Sequence, residues 1–297
     1  MPASKPLFRS SALTGRRSTH RGLRKLARAS AVLAMVAPGV LSAQPANALV
    51  TCVFAAGTAT ITFTPGDAIT VLRSGSEIHV NGGPCGIGLL VAEVTTTDTI
   101  AFVGVATGSE TLTIDLSGGP FAPGVAVEGS GTSEIEFTGI VLGAGTDSLL
   151  IVGSSGADTI AFSAAGVDLN GDGDADVTFG AGGLDAIESF TMNGAGGDDV
   201  LSGGSGNDQI NGGTGVDTAS YASASAAVTV DLSVTGTQNT KGAGSDTLAA
   251  IERLIGSAFA DTLSGGPSSD SLDGAAGNDV LAGRGRHVYG RDRRRHA

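Results

Sequence analysis

Asp199, Asp208 and Asp217 stand nine residues apart, and so do Asp261, Asp270 and Asp279. The first three follow short runs rich in glycine, and the glycines are poorer before the last three. A carboxylate at the end of such a run suits one kind of chemistry, the holding of a hard cation. Calcium takes six to eight oxygens at about 2.3–2.6 Å, and a tight turn of carbonyls plus one carboxylate can supply them. Glycine reaches positive φ, so the glycine-rich runs let the chain turn sharply and point carbonyls at one locus, with Gly194, Gly196, Gly203, Ser205, Gly212 and Thr214 among the turn residues. The candidate ligands are therefore these turn residues together with Asp199, Asp208, Asp217, Asp261, Asp270 and Asp279.

The elements that must position them repeat as well. The units starting at Gly194, Gly203 and Gly212 each carry an apolar residue two places after the acid, at Leu201, Ile210 and Ala219. The units starting at Gly256, Gly265 and Gly274 do the same at Leu263, Leu272 and Leu281. A fixed period with a turn, one acid and one aliphatic indicates stacked rungs. A Gly/Asp/Ser-rich flexible linker has no reason to hold that phase through three units, twice. The units resemble the hemolysin-type calcium-binding (RTX) nonapeptide, Gly-Gly-x-Gly-x-Asp-x-apolar-x. That resemblance implies a right-handed parallel β-roll in which six residues make a turn, three make a strand, and two nonapeptides complete a coil. It also implies calcium between successive turns on one side. Asp199 and Asp217 then share an ion, as do Asp261 and Asp279, whereas Asp208 and Asp270 lie opposite and each need a further rung.

The expected fold is thus all-β, a parallel β-roll or β-solenoid of nonapeptide rungs over 151–283, preceded by a β-rich region over 49–150. In the latter, Ala59 to Phe63, Ile69 to Leu72 and Glu77 to Val80 read as an antiparallel group, followed by three more short alternating strands. Turns ending at Asp147 and Asp158 look like decayed repeats, which suggests a coil that begins near 97; exposed acids at strand ends are the other reading. Residues 221–255 read as a lateral excursion that rejoins the coil and carries no evident chemistry. A second calcium candidate is Asp168, Asn170, Asp172, Asp174 and Asp176. These match the start of an EF-hand-like loop, although position twelve is Phe179 and no helices flank it.

Residues 1–48 carry basic residues but no acid, then an apolar run and Ala46-Asn47-Ala48, a pattern expected of a cleavable secretory signal rather than a membrane span. Cys52 and Cys85 are the two cysteines of this exported chain and are expected to form one disulfide. Residues 49–283 hold 28 acids against three bases, Arg73, Lys241 and Arg253. Such a chain repels nucleic acid and calls for cations, so calcium ions are the expected partner, with no integral membrane segment in the mature chain. The tail at 284–297 turns basic. Two readings stay open there, a frame change that interrupts further repeats and a basic segment for an anionic surface.

No catalytic constellation is visible. The body has one histidine, His79, and no His-Glu-x-x-His, Gly-x-Ser-x-Gly or phosphate-binding loop. The expected protein is therefore an extracellular, non-catalytic calcium binder. A surface adhesin that uses the coil as a spacer and a remnant of a longer exoprotein are the alternatives.

Overall fold

The chain folds as rungs because its short strands alternate β-branched and polar residues, a pattern that fits a pleated surface buried on one face. The structure is a computed structural model describing residues 50–64, 66–87, 90–104, 109–122, 135–140, 147–179, 187–283 and 287–289. The described residues lie in the unit Ala46–Ala297 and contain strands but no helix. None of them, in particular, forms a helix long and apolar enough to cross a membrane. The signal segment expected at 1–48 lies outside the described residues.

Two large sheets carry the coil, one of twelve strands and one of nine. In the first, Thr58–Phe63, Thr99–Gly104, Glu136–Ile140 and Val177–Phe179 pair in parallel. The same sheet continues through Thr159–Ser163, Val200–Ser202, Thr218–Ser220, Arg253–Ile255, Ser271–Asp273 and His287–Tyr289, again in parallel. An antiparallel strand, Gly166–Asp168, joins the two runs. The nine-stranded sheet stacks Ala68–Ser74, Thr111–Asp115, Asp147–Val152, Ile187–Asn193, Asp208–Asn211 and Gly244–Ala249 in parallel. This is a parallel β-roll. Its rungs begin at Thr58, upstream of 97, and cross residue 150 without a break.

Register explains the core. Val71, Ile114, Ile151, Met192, Ile210 and Leu248 form one continuous apolar file, all buried. Ile160, Leu201, Ala219, Leu254 and Leu272 form another in the first sheet. Each buried aliphatic side chain contributes about 1.5–3 kcal/mol. A third file changes character along its length. It runs Ile69, Leu112, Leu149, Phe190 and then Asp208, so that a carboxylate takes over a position held by hydrocarbon in every earlier coil.

Two sequence expectations are corrected. The three strands near 59–80 are not one antiparallel group. Asp67 Oδ2 accepts from the Thr64 backbone N–H at 2.6 Å and lies 2.9 Å from Thr64 Oγ1, which fixes a corner and sends Ala68–Ser74 into the other sheet. Only Ala68–Ser74 and Glu77–Val80 pair antiparallel. The excursion at 221–255 is only partly lateral: Gln238–Lys241 pairs antiparallel at a sheet edge, while Gly244–Ala249 and Arg253–Ile255 stack in parallel in the two large sheets. Its strand Thr229–Asp231 stacks in parallel on Thr262–Ser264, which stacks on Val280–Ala282, placing Val230, Leu263 and Leu281 in one file.

At the amino-terminal end, antiparallel strands cover both sheets. Thr51–Ala55 pairs with Thr58–Phe63, and Glu77–Val80 followed by Gly83–Pro84 covers Ala68–Ser74. A disulfide joins Cys52 to Cys85, with Cα atoms 5.0 Å apart.

Candidate metal centre

The turns stack at an interval of two nonapeptides. Asp199 donates its backbone N–H to Oδ1 of Asp217 at 2.9 Å, and Asp261 does the same to Asp279 at 3.0 Å, in both cases 18 residues on. The pairs expected to share a cation therefore lie in adjacent coils on one side. The same contact extends past the regular repeats. The Asp158 N–H donates to Asp199 Oδ1 at 2.8 Å, and the Asp217 N–H donates to Glu252 Oε2 at 2.9 Å. In the second sheet, Asp208 donates to Asp246 Oδ1 at 3.1 Å.

Oδ1 of Asp199, Asp217 and Asp279 is thus tied to the coil before it, and Oδ2 of each lies against the first glycine of its own turn. Asp199, Asp208, Asp217, Asp261, Asp270 and Asp279 are all buried, between 0% and 6% exposed. Oδ2 of Asp199, Asp208, Asp217 and Asp279 is buried without a hydrogen-bond partner. Leaving a buried carboxylate oxygen unpaired costs several kcal/mol unless a cation or donor meets it. Asp261 and Asp270 are less exposed to that cost. The Ser257 N–H reaches Asp261 Oδ2 at 2.6 Å, and the Gly266 N–H reaches Asp270 Oδ2 at 2.6 Å.

The first glycine of each turn makes room for these oxygens. A Cβ at Gly194 would collide with Asp199 Oδ2 and with the Gly212 carbonyl in the next coil. A Cβ at Gly212 would meet Asp217 Oδ2 and the Ala250 carbonyl, and one at Gly203 would meet Asp208 Oδ2. Gly256 and Gly274 stand in the same relation to Asp261 and Asp279. Of the third-position residues, Gly196 bridges Thr214 in parallel, the Thr214 carbonyl accepts the Gly197 N–H at 2.9 Å, and Ser205 is exposed.

The donor set is all oxygen, from carboxylates and turn carbonyls. No group of three or more His, Cys, Asp or Glu converges among the described residues. A soft or imidazole-seeking metal has nothing to bind, whereas buried carboxylate oxygens beside carbonyls fit a hard cation such as calcium. Burial pushes Asp199 up to about 6, helped by the charge of Asp217 and opposed by the Asp158 N–H. Burial and then the charge of Asp246 push Asp208 up to about 7.

The matching family model is that of the RTX calcium-binding nonapeptide repeat, in four copies over residues 191–219 and 248–281. The chain carries RTX repeats. These repeats bind calcium, which agrees with the oxygen-only donor set of the turns. The matched segments include all six regularly spaced aspartates and Glu252, while Asp158 and Asp246 lie outside them. No curated protein and no solved structure matches the chain.

The RTX turns account for one group of predicted ligands, and the loop at 168–176 is built differently. Asp168 Oδ1 accepts from the Asn170 and Gly171 N–H groups at 3.1 and 2.6 Å, and its Oδ2 accepts from Gly173 at 3.0 Å. Asn170 Oδ1 accepts from Asp172 at 2.8 Å, and Asp172 Oδ1 from Asp174 at 3.3 Å. Asp176 is buried, and its carboxylate accepts the Leu169 N–H. These oxygens are directed at the loop's own backbone, a run of Asx turns. Glu252 and Asp246 went unrecognised because the glycines before them do not keep the nonapeptide phase. A signal was present: each has an aliphatic residue two positions on, Leu254 and Leu248, as Asp199 has Leu201.

Proposed function

We propose that this is a secreted, non-catalytic calcium-binding protein whose carboxy-terminal coils fold when calcium occupies the RTX turns. The observation that carries the reading is the set of buried, partnerless Oδ2 atoms on Asp199, Asp208, Asp217 and Asp279. Bound calcium would supply the positive charge that these stacked carboxylates lack. Asp199 and Asp217 would hold one ion with the carbonyls of their turns, and Asp261 and Asp279 another. Asp208 and Asp270 take part from the opposite corner. Extracellular modules bind calcium at about 10⁻⁴ to 10⁻³ M, so these coils stay loose inside a cell and close after export. The Cys52–Cys85 disulfide suits the same oxidising destination. The body's one histidine, His79, lies 3.1 Å from Glu77 on a strand.

Circular dichroism of the full chain, titrated with calcium and separately with magnesium, tests the reading. Expected is a gain of β signal near millimolar calcium, absent with magnesium and weakened in Asp217→Asn. A chain fully folded in chelator and indifferent to calcium would sink it.

A further inference from the structure

The turn at 241–246 falls between the two matched blocks, yet it sits on the 203–208 turn as one RTX turn sits on the next. Gly206 and Gly244 form a parallel bridge. The Gly206 N–H donates to the Ala243 carbonyl at 3.0 Å, and the Ser245 N–H lies 3.1 Å from the Gly206 carbonyl and 2.9 Å from Asn207 Oδ1. A Cβ at Gly244 would collide with the Gly206 carbonyl, as one at Gly215 would with that of Gly197 in the regular stack. Asp208 then donates its N–H to Asp246 Oδ1 at 3.1 Å, the contact Asp199 makes with Asp217.

Asp246 differs from the other acids in how its second oxygen is held. Tyr221 donates its hydroxyl to Asp246 Oδ2 at 3.1 Å, and Thr240 Oγ1 lies 3.1 Å from the same atom. Tyr221, Thr240 and Asp246 are all buried, at 4%, 0% and 1% exposure. Asp208, 4% exposed, is left with a buried Oδ2 that meets no donor. The chain therefore brings a second carboxylate, already oriented by two hydroxyls, to Asp208, an acid whose partner coil is missing from the regular repeats.

We propose that the turn at 241–246 completes a further calcium site over Asp208, with Asp246 as its second carboxylate and Tyr221 and Thr240 orienting that carboxylate from behind. The site rests on the proposed calcium-binding function. It makes the segment at 221–246 part of the ion-binding machinery rather than a bypass. It also resolves the missing rung: the coil after Asp208 is supplied 38 residues on.

Terbium, a hard cation that replaces calcium, emits strongly when a nearby tyrosine is excited. The chain has two tyrosines and no tryptophan. In the full chain carrying Tyr289→Phe, Tyr221 is the sole antenna. Expected is saturable tyrosine-sensitised emission, reversed by excess calcium, reduced at least tenfold in Asp208→Asn and retained in Asp115→Asn on the upstream strand Thr111–Asp115. Asp246→Asn, which preserves side-chain size, is expected to give the same loss if Asp208→Asn does not fold. Calorimetric calcium titration of the same proteins separates the two readings. Calcium binding that persists without sensitised emission, or emission unaffected by Asp208→Asn and Asp246→Asn, overturns this site alone. No calcium binding at all overturns the proposed function with it.

Discussion

A buried carboxylate with nothing to meet it prefers to be neutral, and this gives the metal-free chain a definite pH response. Asp208 and Asp199 are pushed from 3.8 up to about 7 and about 6. A folded value above the unfolded one means that the fold binds more protons between the two. The stability these acids give is then complete below about pH 4 and is lost as pH rises through 6 to 7. In chelator, the melting temperature should fall by several degrees between pH 5 and pH 8. With saturating calcium the order should reverse, because the ion binds the charged form and must compete with protons at low pH. Thermal melts at the two pH values, with and without calcium, check the sign. The glycine beside each acid matters as much as the acid. Gly194→Ala puts a methyl group against Asp199 Oδ2 and the Gly212 carbonyl. It should raise the calcium midpoint at least as far as Asp199→Asn, on the order of tenfold, about 1.4 kcal/mol. A midpoint unchanged in Gly194→Ala would show that the Gly194 turn holds no ion.

The recurring element is a corner acid, one intervening residue and an inward apolar side chain. It occurs at Asp67 and Ile69, Glu110 and Leu112, Asp147 and Leu149, Asp158 and Ile160, Asp246 and Leu248, and Glu252 and Leu254, besides the regular repeats. The nonapeptides were legible in the sequence because glycine punctuation and constant length reinforced this triplet. The turns ending at Asp147 and Asp158 already suggest a coil from near 97, but the rungs at Thr58–Phe63 and Ala68–Ser74 were not legible, since the upstream strands bury two apolar residues rather than one. Thr111–Asp115, for example, buries Leu112 and Ile114 and so reads as an ordinary strand of any sheet. The turns also carry a local cost. Ala195 and Ala275, each at the second turn position, have φ of 66° and 57°, where the regular glycines Gly204 and Gly213 have 77° and 101°. A left-handed alanine costs about 1–2 kcal/mol, against about 0.5–1 for the added freedom of glycine when unfolded. Ala195→Gly should therefore stabilise the calcium-loaded chain by roughly 0.5 kcal/mol, read as a higher urea midpoint with unchanged slope.

At the scale of the whole molecule, cohesion changes kind along the roll. Coils from Thr58 to Asn193 add paired files of Ile, Val, Leu and Phe to the buried corner acids Asp67, Glu110 and Asp147, and from Asp208 onward one of those files becomes acidic as well. Hydrocarbon packs regardless of divalent ions, whereas stacked carboxylates do not. Hydrogen exchange in chelator should therefore find amides of Thr99–Gly104, Thr111–Asp115 and Asp147–Val152 protected and those of Val200–Ser202, Ser271–Asp273 and Val280–Ala282 fast. Calcium should slow the second group about 100-fold or more and leave the first little changed. Uniform protection in chelator would mean that the acidic coils hold together without ions.

The antiparallel strands at the amino-terminal end have a consequence for self-association. A parallel stack shows a row of unsatisfied amides and carbonyls at its first rung, which invites another chain to add on. Here Thr51–Ala55 occupies that row in one sheet and Glu77–Val80 in the other, with Cys52 and Cys85 tying the covering segments together. The disulfide clasps these covering strands over the first rungs, and reducing it is expected to speed self-association, read as a rise in light scattering.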